Sequence, residues 1–275
     1  LDFSDDQKFL QSEAKKFLAK ENSIKRCRSV LDKSESIDSE LWKKIVELGW
    51  TGIRIPEEFN GLGLGHLELC VIAEELGRFL APVPFSSSVY LFTETIIKYA
   101  SEDLKKDILP KLVSGEIVGT LAVTEDFLAP SSSNISTEVS NNKIIGKKIA
   151  VPDGGIATHS IIVCKSSGGV DLRLIDHSDE GVTISSQEIV DDSRGHFCIE
   201  LDSTPSMLVG DENNGWEQYE SIINQAAVLF SFEQVGGSQA TLDMAVKYAK
   251  ERYAFGKPIG SFQAVSYTHL RAHET

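Results

Sequence analysis

The feature that most restricts this chain is a double change of hydrophobic period. From Ser4 to about Gly115, apolar residues recur every three to four positions, as on one face of a helix. From Glu116 the pattern becomes short Val- and Ile-rich runs separated by turn residues. After "GDENNGW" the helical period returns and holds from about Trp216 to Tyr253. The expected fold class is α+β multidomain: an N-terminal all-helical domain, a central antiparallel β-barrel or sandwich, and the start of a C-terminal helical bundle. The expected boundaries are 1–115, 116–211 and 212–265, with 266–275 as a non-native tail.

Local signals sharpen these blocks. Ser4 followed by Gln7 is a capping box, and Phe9, Leu10, Ala14, Phe17 and Leu18 are expected on one helical face. A second amphipathic unit, Ser39–Leu48, is closed by Gly49. A loop carrying Pro56, Gly61, Gly63 and Gly65 leads into "HLELCVIAEELGRFL". Two more helices are expected, one near 86–100 and one from Ser101, whose first turn holds Glu102 and Asp103. In the middle block Asn141–Asn142 reads as a hairpin turn between strands. The period over 216–253 is long for a globular helix and predicts packing along another subunit or within a bundle.

Composition removes several functions. Lys and Arg number 27 against 41 Asp and Glu, a formal net charge of −14, which repels phosphate backbones and anionic membrane surfaces. No apolar run approaches the roughly eighteen residues of a membrane span. Cys27, Cys70, Cys164 and Cys198 are isolated, so neither a zinc site nor a disulfide framework is indicated, and a cytoplasmic location with reduced thiols is expected. No signal peptide opens the chain, and Leu1 leaves a preceding targeting segment open. His159, His177 and His196 fall at strand edges without a nucleophile and base arrangement, so structural roles are expected. The glycines at 61, 63 and 65 lack the preceding strand of a dinucleotide fold and read as a loop lining a domain interface.

The segment "ERYAFGKPIGSFQAV", 251–265, carries the most chemistry. A guanidinium at Arg252 offers a planar fork suited to pyrophosphate oxygens, Phe255 can flank an aromatic or ribose face, and Gln263 supplies an amide. Gly256 and Gly260 permit a tight turn. Taken alone, the segment is as readily a helix end whose arginine meets the dipole. Together with "IPEEFNGLGLGHLELCVIAEELGR", "VTE" at 123–125 and "GKKIAVPDGG" at 146–155, it gives the chain a likeness that runs over roughly 1–265. Over that span the chain resembles the acyl-CoA dehydrogenase family. The resemblance implies FAD held between the β domain and the C-terminal helices. Val123 and Thr124 would touch it in one subunit, while Arg252, Phe255 and Gln263 reach the adenosine and pyrophosphate of a neighbour's flavin. It implies α,β-dehydrogenation of an acyl-CoA thioester: a glutamate takes the α-proton, hydride passes to the flavin, and hydrogen bonds support the thioester oxygen. Electrons would then pass to an electron-transfer flavoprotein. A homo- or hetero-tetramer is the implied assembly.

The chain also departs from that pattern. In "TEDFLAPSSSN" the family's Gly-Ser pair is missing; Ser131 either stands in for it or belongs to a polar turn begun by Pro130. The family's Trp-Ile-Thr beside the flavin ring falls on Ala150, Val151 and Pro152. Substrate arginine and alternative base positions on the long helix fall on Ala227 and Ala226, and Glu233, two turns on, is expected to face solvent or a neighbouring helix. The catalytic residue is therefore unassigned, with the base expected on helices beyond 265. "SYTHLRAHET" continues none of the earlier patterns, and His269 and His273, with no third ligand near, make no metal site. Two functions stay open: a flavoprotein dehydrogenase subunit, or a non-catalytic subunit completing the flavin site of an active paralogue. "GRFLAPVPF" and "VPDGG" resemble a bacterial branch with heteromeric members, associated with fatty acid or steroid side-chain catabolism.

Overall fold

The computed structural model describes residues 3–22, 24–32, 36–191 and 193–262. Helix α1, Asp5–Glu21, starts on the expected box: Ser4 Oγ accepts from the Gln7 amide at 3.2 Å and Gln7 Oε1 from the Ser4 amide at 3.0 Å. Ala14 and Leu18 are buried, but Phe9 is 68% exposed. Nine residues separate Phe9 from Leu18, about two and a half helical turns, which places them on opposite faces. Helix α2, Ile24–Asp32, is followed by α3, Ser39–Glu47, capped by Asp38 and terminated by Gly49 at φ 74°. Helix α4, His66–Arg78, is the central rod of this layer. Between 86 and 99 the expected helix is real but irregular, a wide π-type coil over Ser86–Thr93 running into α5, Glu94–Tyr99. Thr93 Oγ1 bonds the Ser88 carbonyl at 2.7 Å, supporting the widened turn. Helix α6, Glu102–Ser114, closes the layer at Gly115, φ 75°.

Among the described residues, eight strands form one sheet: β1 Gly119–Ala122, β2 Glu138–Ser140, β3 Lys143–Pro152, β4 His159–Lys165, β5 Val170–Asp176, β6 Val182–Gln187, β7 His196–Pro205 and β8 Met207–Val209. Their order is β6-β7-β3-β2-β4-β5-β8, with β1 pairing β4. Most pairs are antiparallel; β1 lies parallel to β4, and β2 meets β4 in the same sense. The β2–β3 turn is Asn141–Asn142 with φ 50° and 58°, the both-positive geometry that asparagine tolerates in hairpins. Strand β4 is apolar and buried from Ile161 to Cys164, with both faces covered. Ile161 and Val163 join the core shared with the helices, whereas Ile162 and Cys164 join a smaller core inside the sheet with Ile144, Val151 and Ile199.

Helix α7, Gly215–Glu251, runs for 37 residues, on the order of 55 Å at 1.5 Å per residue. It buries Ile222, Ala226, Leu229 and Gly236 against α4 and its neighbours. A short hairpin of β9, Tyr253–Ala254, and β10, Lys257–Pro258, follows it.

Candidate functional site

Strand β1 delivers Val123 and Thr124 to the edge of the β layer, where both are half-buried. The Thr124 carbonyl accepts from the Ile149 amide at 2.8 Å and the Val123 carbonyl from Lys148 Nζ at 3.1 Å, so β3 fixes this segment from the side. Lys148 is fully buried, and its ammonium lies 2.6 Å from Glu125. Glu125 also accepts from the Ser136 and Thr137 amides. Burial pushes the Glu125 carboxyl upward, but the hydrogen bonds from Lys148 and Ser136 outweigh it and leave the group lowered to about 2. Burial also lowers the Lys148 ammonium, against the opposing pull of the carboxylate.

Beside this pair the β3–β7 register slips between Lys148 and Val151. Ala150 sits in the slip at φ 51°, exposed, its amide donating to Gln187 Oε1 at 2.6 Å. Val151 is buried and Pro152 turns its carbonyl to Thr120 Oγ1 at 2.7 Å. Ser131 is placed in a closed turn: its amide donates to Asn134 Oδ1 at 2.7 Å, and its hydroxyl lies 3.0 Å from that of Ser133. The polar-turn alternative therefore describes its present contacts.

The second group of candidates lies past the end of α7. Arg252 caps the helix, its side chain exposed, and its carbonyl accepts from Ile259 at 2.8 Å to close the hairpin. Phe255 and Gly256 form the turn with φ 54° and 79°, and Phe255 is 95% exposed, edge-on to Phe262 at 6.3 Å. Gly260 packs so closely on α7 that a Cβ would come within 3.0 Å of the Ala249 carbonyl oxygen. Gln263 lies outside the described residues, as do His269 and His273. Among the described residues, no hydrogen bond or ring contact joins Arg252 or Phe255 to Val123, Thr124 or Ser131. The structure thus keeps the two groups of candidate residues apart, one on the sheet and one at the end of α7.

A polar cluster that sequence reasoning missed sits where the sheet, the π-type coil and α7 meet. Glu233 accepts from Tyr90 Oη at 2.9 Å and from Arg194 Nη2 at 3.1 Å, and Arg194 also donates to Ser86. Next to it, buried Asp153 accepts from Ser87 Oγ at 2.6 Å. Burial raises both the Glu233 and the Asp153 carboxyl. Glu233 thus faces a neighbouring helix and a loop rather than water. Arg194 falls in "DDSRGHF", which has no signal beyond that of a turn. Ala226 is buried and Ala227 exposed, so neither position offers charge. His177 hydrogen-bonds Ser160 at 2.6 Å and is lowered to about 4 by burial, away from all these groups. Among the described residues no cluster of His, Cys, Asp or Glu could hold a metal, and no helix is long and apolar enough to cross a membrane.

Residues 4–116 match the model of the acyl-CoA dehydrogenase N-terminal domain and residues 213–273 that of the C-terminal domain. The acryloyl-CoA reductase (NADH) of Anaerotignum propionicum is 27% identical over 97% of this chain and 72% of its own. Among solved structures, the Tcur3481–Tcur3483 steroid acyl-CoA dehydrogenase G363A variant is 27% identical with a TM-score of 0.86, over 98% of this chain and 73% of that one. The ChsE4–ChsE5 complex from Mycobacterium tuberculosis matches in fold with a TM-score of 0.86 at 22% identity, over 99% of this chain and 74% of that one. The helical layer, mixed sheet and long helix, with both family domains matched in their expected places, make this chain a member of the acyl-CoA dehydrogenase family of oxidoreductases.

Proposed function

We propose that this chain is a subunit of an FAD-dependent dehydrogenase that introduces an α,β double bond into an acyl-CoA thioester, with the flavin site shared between two subunits. The observation that carries this reading is the split of the candidate residues. Val123 and Thr124 are tied to β3 by Lys148 and by the Ile149 amide respectively, whereas Arg252 and Phe255 project, exposed, beyond the far end of α7. An exposed guanidinium and an exposed ring at a short hairpin suit the pyrophosphate and adenosine of a ligand seated on a second subunit. Ala150, exposed in the register slip of β3 and with its amide already donating to Gln187, is where the resemblance puts the flavin ring. Bound FAD would supply the hydride acceptor. The protein's part is to hold the acyl group beside it, to exclude water, and to direct hydrogen bonds at the thioester oxygen. Electrons would leave to an electron-transfer flavoprotein.

A second reading, a non-catalytic subunit that completes the flavin site of an active paralogue, is favoured by one observation. Ala226 and Ala227 carry no base or cation, and Glu233 is committed to Tyr90 and Arg194. Flavin absorbance of the purified protein, expressed alone and with its genomic neighbour, separates the two. Flavin with the chain alone supports the catalytic subunit; flavin only on co-expression supports the partner subunit; no flavin in either case defeats both.

A further inference from the structure

The chain passes from α6 into the sheet at a corner built around Thr158. The Thr158 amide donates to the Val118 carbonyl at 2.8 Å, the Val118 amide donates to Thr158 Oγ1 at 3.2 Å, and the Thr158 carbonyl accepts from the His177 amide at 2.8 Å. One residue thus joins the segment between α6 and β1, the start of β4 and the end of β5. Two histidines flank it. His159 Nδ1 lies 3.0 Å from Thr158 Oγ1, and its Nε2 lies 3.7 Å from Asp176. His177 Nε2 lies 2.6 Å from the hydroxyl of Ser160, which is wholly buried. His177 Nδ1 is buried with no hydrogen-bond partner among the described residues.

These surroundings suit a neutral imidazole and oppose an imidazolium. A protonated ring donates from both nitrogens. At His177, Nδ1 then has no aligned acceptor, and Ser160 must turn its hydroxyl to accept at Nε2. Burial lowers His177 to about 4, with His159 adding to the effect and the Ala157 carbonyl and Asp176 opposing it. Burial likewise lowers His159; Lys111 on α6 adds to that, and Asp176, Asp107 and Asp179 oppose it. A cavity of about 920 Å³, lined by these charged groups and by Glu116, opens on the corner and gives water access to it.

We infer that this corner is an acid-sensitive joint, in which protonation of His177 opens the contacts among Val118, Thr158 and His177 and loosens the sheet from the helical layer. The joint does not depend on the flavin reading. A histidine depressed from 6.5 to about 4 stabilises the closed corner fully above pH 6.5, and that contribution is lost as pH falls toward 4. Opening is therefore about 30-fold more favourable at pH 5 than at pH 7.5. Hydrogen exchange read by NMR on the purified chain tests this. Protection factors of the Thr158 and His177 amides are expected to fall about 30-fold between those two pH values. The Lys165 amide, bonded to the Thr137 carbonyl at the other end of β4, is expected to keep its protection. In His177→Gln, which stays uncharged, the fall is expected to disappear. The Cε1 proton of His177 in the unaltered chain gives the titration directly, whether or not the variant folds: a midpoint below 5.5 supports the joint. A midpoint of 5.5 or above, an equal loss of protection at Lys165, or an undiminished fall in His177→Gln would overturn the inference.

Discussion

Lys148 shows how much a single side chain can organise. Alternation along β3 puts it on the buried face with Ile144, and there its ammonium holds both Glu125 and the Val123 carbonyl. Removing one member of a buried pair strands the other, at about 3–5 kcal/mol. Lys148→Met is therefore expected to lower the urea midpoint sharply, and Lys148→Met with Glu125→Gln to recover part of the loss. The carboxyl titrates at about 2 in the fold against an ordinary 4.5. Its contribution, about 3 kcal/mol, is complete above pH 4.5 and disappears as pH falls toward 2. The urea midpoint should fall with pH across that window in the unaltered chain and change much less in Glu125→Gln. For the flavin, Arg252→Ala is expected to reduce retention more than Thr124→Ala, since a charge-assisted bond is worth roughly 1.5–3 kcal/mol against about 1 for a neutral one. Equal losses, read from flavin absorbance after gel filtration, would remove Arg252 from the site. Arg252 and Phe255 could be singled out in the sequence because they sit in one contiguous motif. Lys148, Arg194 and Tyr90 could not, because each acquires its meaning from a partner far along the chain, Tyr90 and Glu233 being 143 residues apart.

At the scale of elements, the crossing of α4 and α7 governs how the helical parts meet. A Cβ on Gly236 would come 1.8 Å from the Glu74 carbonyl oxygen, and one on Gly77 2.0 Å from that of Glu233. The two backbones touch because each supplies a glycine at the contact. Gly236→Ala is expected to cost at least the 1–3 kcal/mol of overpacking, whereas Gly237→Ala, with nothing nearer than 3.6 Å, should gain up to about 1 kcal/mol from helix propensity. Thermal melts of the two variants should shift in opposite directions; a shared direction would mean the crossing is looser than this. Helix caps and the Asn141–Asn142 turn could be read from the sequence because their causes are local, four or so residues wide. The parallel pairing of β1 with β4 could not, because it depends on a strand that returns after the whole β2–β3 hairpin. The π-type coil at Ser86–Thr93 was hidden for a similar reason, since periodicity reports a helix there without resolving its pitch.

Across the whole molecule, α7 divides into a half that is packed and a half that is mostly not. Its buried residues run from Gly215 to Gly236, with Ala249 alone beyond them. Val228, Val235, Met244 and Tyr248 are each more than half exposed. Apolar side chains left in water forgo about 25 cal/mol per Å² of burial, so these exposed positions, Val228 and Val235 on one side of the helix and Met244 and Tyr248 on the other, favour association over isolation. Backbone amides that lack packed neighbours open at lower free energy than those in the core. Hydrogen exchange is therefore expected to be slow over 218–236 and fast over 238–248 at low protein concentration, with the second stretch becoming protected as concentration rises. Sedimentation should show the matching association, and Val235→Lys with Met244→Lys should abolish it without changing protection over 218–236. Uniform protection along α7 in a monomer would show that the outer half is stabilised within one chain, and its exposed apolar residues would then need another explanation.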